Sequence, residues 1–165
     1  MQKSFFLICP TDYLERAINQ KIRGENYFYA TLGNSFIYDR KIINSLRKII
    51  KKHKISEVYF VLALDNPIFL DALGKNLFSS IDVLNHFYEE IRNQKLRTRK
   101  VLENNNEPFK ILSYYLNKKI KELTLQLTNF TDISVKIGGK IYKKDQDIFT
   151  DIYSDLVCFD TYHLN

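Results

Sequence analysis

The chain has 165 residues, 45% of them hydrophobic and 14% aromatic, with 12 Phe, 11 Tyr, 5 Gly and 3 Pro, which excludes disordered, collagen-like and linker-rich classes and suits one domain spanning residues 1–165. Cys9 and Cys158 are too few for a disulfide framework and neither belongs to a C-x-x-C or C-x-x-H pair, so a cytoplasmic, reducing location is expected. The formal charge of +6 raises the question of nucleic acid, but the cations are placed otherwise, and no apolar run reaches the roughly 18 residues of a membrane span.

Ser4–Cys9 (SFFLIC) is a short continuous apolar run, as buried parallel strands are. Asp12 is placed to cap a helix carrying Leu14, Ala17, Ile18 and Ile22, with Glu15 as capping-box partner and Gly24 as stop. Asn26–Thr31 reads as a second strand, closed by the turn Gly33–Asn34–Ser35. Ile42, Ile43, Leu46, Ile49 and Ile50 form one helical face, and Lys51, Lys52 and Lys54 sit where cations complement a helix dipole. Glu57–Leu64 is a third buried strand, ended by Asp65–Asn66–Pro67. Ser79 precedes a further helical pattern through Ile91, and Pro108 opens another through Leu127. Thr131–Ile137 alternates as a fourth strand, continued through Gly138–Gly139 and Ile141–Tyr142. The turn Lys143–Asp147 then leads to an edge partner at Ile148–Ile152. The sum is an α/β fold with a mostly parallel sheet of four or five strands in order 2-1-3-4, an antiparallel edge strand, and helices on both faces.

Ligands of open parallel sheets bind beyond the carboxyl ends of the strands, where strand order reverses. If the first and third strands are neighbours, that crevice collects Cys9, Thr11, Asp12, Gly33, Asn34, Leu64, Asp65 and Asn66. Cys9, Asp12 and Asp65 are the candidate catalytic groups. Each also has a plainer reading: Cys9 as a buried thiol, Asp12 as a helix cap, Asp65 and Asn66 as the loop-to-helix turn before Pro67. His53, His86 and His163 have no partner at metal-ligand spacing.

Cys9 after the first strand, Gly33–Asn34 after the second, and the late ISVKIGGKIYKKDQDI segment resemble the β-class carbonic anhydrases, whose compact bacterial members have similar length. That family carries C-x-D-x-R, R-N-A-G-N, G-H-x-x-C-G and a late V-x-G-x-x-Y-D, and holds a zinc ion with Cys, His and Cys. Cys9 matches the first ligand, whereas the H-x-x-C positions fall on Leu64 and Pro67, the Asp and Arg of C-x-D-x-R on Thr11 and Tyr13, and the Arg of R-N-A-G-N on Ala30. The resemblance therefore implies a β-carbonic-anhydrase-like scaffold with a degenerate zinc site, no metal ligand set and no cofactor, acting as a binding or interaction module for a small ligand or protein. It also implies a homodimer, with Tyr27, Phe28, Tyr29 and Phe36 as candidate interface residues. The alternative is an enzyme of altered lyase-like chemistry with Cys9 as a thiolate nucleophile and Asp12 or Asp65 as acid–base partner. A nucleotide-binding protein is the weakest reading, since neither G-x-G-x-x-G nor a P-loop occurs.

Overall fold

In the computed structural model, residues 1–36, 38–101, 106–130 and 134–153 are described. The order is β1 (Lys3–Ile8), a 3-10 turn (Pro10–Asp12), α1 (Glu15–Lys21), β2 (Glu25–Ala30), a second 3-10 turn (Leu32–Asn34), α2 (Arg40–His53), β3 (Glu57–Ala63) and α3 (Pro67–Leu73). A third 3-10 turn (Asp82–Leu84), α4 (Asn85–Val101), α5 (Glu107–Thr128), β4 (Lys136–Lys143) and β5 (Ile148–Asp151) follow. The sheet order is β2-β1-β3-β4-β5, parallel except for β5, as the buried runs require.

Alternate residues of the central strands feed two cores of unequal size. Phe5, Leu7, Cys9, Val58, Phe60 and Leu62 join residues of α2, α3, α4 and α5 on one face. Phe6, Ile8 and Val61 meet Leu14 and Ile18 beside α1 on the other. Strands buried on both faces lose the polar alternation of an exposed sheet, which is why they read as continuous apolar runs. Among the described residues, no helix is long and apolar enough to cross a membrane.

Several boundaries differ from expectation. Asp12 does not cap α1: it closes the first 3-10 turn, Leu14 occupies the cap position without a side-chain hydrogen bond, and the Asp12 carboxylate reaches to β3 instead. The residues after β3 form more than a turn, because Asn66 caps α3 by accepting from the Phe69 N–H at 2.8 Å, with Pro67 in the first turn. Ser79 starts no helix; its hydroxyl donates to the Asn76 carbonyl at 2.7 Å, and α4 begins at Asn85. The fourth strand begins at Lys136, while residues 131–133 of the expected alternation lie outside the described ones. Its glycines fit close neighbours: a Cβ on Gly138 would stand 2.9 Å from the Tyr59 ring, and one on Gly139 2.7 Å from Ile152. Phe36 is 4% exposed in the larger core, so it cannot face a partner. Tyr29 is exposed, and Tyr27 and Phe28 are partly buried.

Candidate functional site

Three loops leave the carboxyl ends of β1, β2 and β3, and the sheet order brings them together. Between them runs a chain of polar contacts. Asp12 accepts from the Ala63 N–H at 2.9 Å and from Asn66 Nδ2 at 2.6 Å. Asn66 Nδ2 also donates to Thr11 Oγ1 at 3.2 Å, and that oxygen lies 3.0 Å from Cys9 Sγ. The Gly33 N–H donates to the same sulfur at 3.2 Å. A buried amide does comparable work one layer down: Asn34 Nδ2 donates to the Leu7 carbonyl at 2.9 Å and the Val61 carbonyl at 3.0 Å, pinning the second turn across β1 and β3.

The second turn is fixed by its sequence. Gly33 has φ +60° and a Cβ there would meet the Phe87 ring at 3.0 Å, while Asn34 has φ 55°, a region that asparagine tolerates better than most residues. The Tyr115 hydroxyl donates to the Gly33 carbonyl at 2.8 Å. Nothing in the helical pattern of α5 marks Tyr115 as part of this site, because its spacing matches that of its apolar neighbours.

The expected crevice residues therefore converge but divide by depth. Thr11, Asp12 and Asp65 line a cleft of about 410 Å³ together with Tyr13, Leu14, Ala17, Ala63, Pro67, Tyr142 and Lys144. Cys9, Gly33, Asn34 and Asn66 are buried, and Leu64 is half-buried against the larger core. Lys144 and Ala17 carried no functional signal in the sequence; Tyr142 did, through the late motif, and Tyr13 only as the residue at the Arg position of C-x-D-x-R.

Burial pushes the Asp12 carboxyl up to about 6, with the nearby Asp65 adding to the shift and the hydrogen bonds from Ala63 and Asn66 opposing it. Since the folded value lies above the unfolded one of about 4, the native state holds its proton more tightly, and ionisation costs stability as pH rises. The loss should develop between about pH 4 and pH 6 and reach about 3 kcal/mol. Urea unfolding of the unmodified protein and Asp12→Asn at both ends of that window checks this. The stability of the unmodified protein relative to the variant should fall with rising pH, and a constant difference would contradict it.

No protein-family model matches the sequence, and no curated protein does. Solved structures do. The β-carbonic anhydrase CafD of Aspergillus fumigatus superposes with a TM-score of 0.70 at 14% identity, covering 93% of this chain and 90% of that one. The fold is that of a β-carbonic anhydrase. Tetrameric β-carbonic anhydrases from Sordaria macrospora give a TM-score of 0.70 at 10% identity, with 92% of this chain and 80% of theirs covered. The Coccomyxa β-carbonic anhydrase in complex with acetazolamide gives 0.66 at 12% identity, with 99% and 85% covered.

A zinc ion implied by the β-carbonic anhydrase fold does not suit the residues present. Cys9 has no exposed surface and its sulfur is engaged by Gly33 and Thr11. Leu64 offers no lone pair, Pro67 is the first residue of α3, and Asp12 is held by Ala63 and Asn66. Among the described residues no three of His, Cys, Asp and Glu converge as a metal-holding group. His53 lies against the Tyr27 ring, 4.5 Å between centroids, and His86 belongs to α4; Cys158 and His163 lie outside the described residues.

Proposed function

We propose that the chain uses the β-carbonic anhydrase scaffold as a cytoplasmic binding module without zinc-dependent hydration. The observation that carries this reading is the polar chain from Cys9 through Thr11 and Asn66 to Asp12. Groups that would otherwise be available to a metal and its water are spent on joining the three loops, and the positions of a histidine and a second thiolate hold Leu64 and Pro67. Zinc held by thiolate and imidazole lowers the pKa of its bound water to about 7, and a lone buried thiol is not enough to hold that metal. Cys9 as a nucleophile is the weaker reading, because the residue has no exposed surface and its sulfur is already engaged by Thr11 and Gly33.

The same reading takes the module as a homodimer. The outer edge of β2 is paired with no other described strand, and Tyr29 on that strand is exposed; such an edge carrying aromatic residues is suited to a second copy.

Protein purified without added zinc and dialysed against a mild chelator should retain well under one zinc per chain. It should hydrate carbon dioxide no faster than buffer, and should sediment as a dimer at micromolar concentration. One tightly held zinc per chain, with hydration lost in Cys9→Ala, would return the protein to the enzyme class; a monomer would remove the dimer.

A further inference from the structure

We propose that the cleft beside Asp12 binds a small organic cation, a primary ammonium group on a short apolar body. The inference rests on reading the crevice as a binding site, and is independent of whether zinc is held at Cys9.

Charge, lining and donor chemistry all point the same way. The Asp12 carboxylate is half-buried and lines the cleft. Each of its oxygens accepts one hydrogen bond from the protein, and a carboxylate oxygen has a second lone pair to offer. Asp65 lies on the same rim, exposed, with no hydrogen bond or ion pair to any described residue. Tyr142 also lines the cleft, its hydroxyl donating to Asp147 at 2.6 Å, and Leu14, Ala17 and Ala63 supply apolar surface. A carboxylate with an aromatic and aliphatic wall is the chemistry that recognises an alkylammonium ion.

The cleft also stands out in a basic protein. Asp12 and Asp65 outnumber Lys144 along its lining, whereas the protein as a whole carries +6. The apolar groove between α2 and β2 has Lys41 and no acid. The cleft near the start of β1 has Lys21, Arg23 and Lys140 against Glu57 and Asp147. An anionic ligand would meet less opposing charge at either of those two, since at Asp12 the one lining cation, Lys144, stands against two carboxylates. A hard divalent cation needs about six oxygen ligands, and only two carboxylates line this cleft. The volume, about 410 Å³, is within the usual range for a small-molecule site.

Lys144 is the resident competitor. It lines the same cleft and is exposed, so removing its charge should tighten binding of an external cation, whereas a site for anions would be weakened by the same change.

The test is calorimetry in the presence of a chelator at pH 7.5, with n-butylammonium chloride as probe and n-butanol and sodium butyrate as its neutral and anionic counterparts. Butylammonium should bind saturably, at least about tenfold more tightly than either counterpart. Asp12→Asn should reduce that affinity about tenfold or more, Asp65→Asn about threefold, and Lys144→Gln should increase it. Asp65→Asn keeps the test sound if Asp12→Asn disturbs the loops, because the Asp65 side chain bonds to no described residue. Butyrate binding as well as butylammonium, loss of affinity in Lys144→Gln, or no saturable binding of butylammonium would each overturn the proposal. Stoichiometric zinc together with intact cation binding would remove the zinc-free reading and leave this one, while zinc-free protein that ignores butylammonium would do the reverse.

Discussion

Replacing Asn34 by Asp should cost about 4 kcal/mol or more, enough to leave a marginally stable domain largely unfolded. The amide nitrogen of Asn34 donates to two buried carbonyls, those of Leu7 and Val61, and the residue has no exposed surface. A carboxylate of the same shape has no donor. It would face both carbonyl oxygens as a desolvated negative charge and leave each short of a partner, at about 1–3 kcal/mol apiece before the charge is counted. Acidification should recover part of the loss, since a protonated carboxyl regains one donor. Urea midpoints by circular dichroism at pH 7 and pH 4 measure both effects. A loss below about 1 kcal/mol at pH 7 would mean that the amide does not hold the turn.

Installing the missing ligands should have the largest effect on metal binding. Leu64→His combined with Pro67→Cys gives the loop after β3 the residue types of the resembled family, opposite a thiol that is already present. We expect zinc affinity to rise at least about a thousandfold over the parent in a chelator competition, with the gain abolished by adding Cys9→Ala, as expected where thiolate and imidazole complete a tetrahedral set. Proline at the first turn of α3 contributes little that cysteine cannot replace, because the N–H restored there needs no helical partner. An unchanged affinity in a variant that unfolds as cooperatively as the parent would show that the loops have moved away from the ligand-holding arrangement.

The sheet order was legible because Phe5–Ile8 and, apart from the half-buried Tyr59, Val58–Leu62 are buried on both faces, and uninterrupted apolar runs of that length leave few alternatives to adjacent parallel strands. The convergence of Cys9, Gly33, Asn34 and Asp65 followed from that order alone. What sequence could not give was the partner of each polar group. Asp12 reads as a cap because an acid ahead of an amphipathic stretch usually is one; only the fold places Ala63 within its reach, 51 positions along. Asn66 is a similar case, serving at once as cap of α3 and as donor to the first loop. Tyr115 was hidden by its own spacing, since a phenol needs one polar contact and is otherwise a core residue. The turn into α3 was legible in Asp65–Asn66–Pro67, but not its length, because seven residues carry too little helical periodicity to mark an end.

The hydrogen bond from Tyr115 to the Gly33 carbonyl spans 82 positions, and this fixes the order in which the chain can finish itself during synthesis. The loops around Cys9, Gly33 and Asn66 emerge from the ribosome in the first half of the chain. The phenol that anchors the second of them comes only with α5, and the β4 strand that pairs with β3 comes later still. Contacts so distant in sequence are slow to close, and until they do the apolar faces of β1 and β3 wait for covering helices, a state in which chains aggregate. The crevice is thus made first and completed last. A nascent chain stalled before α5 would carry most of the site's residues and no finished site, which makes this protein dependent on its final third for a site drawn mostly from its first half.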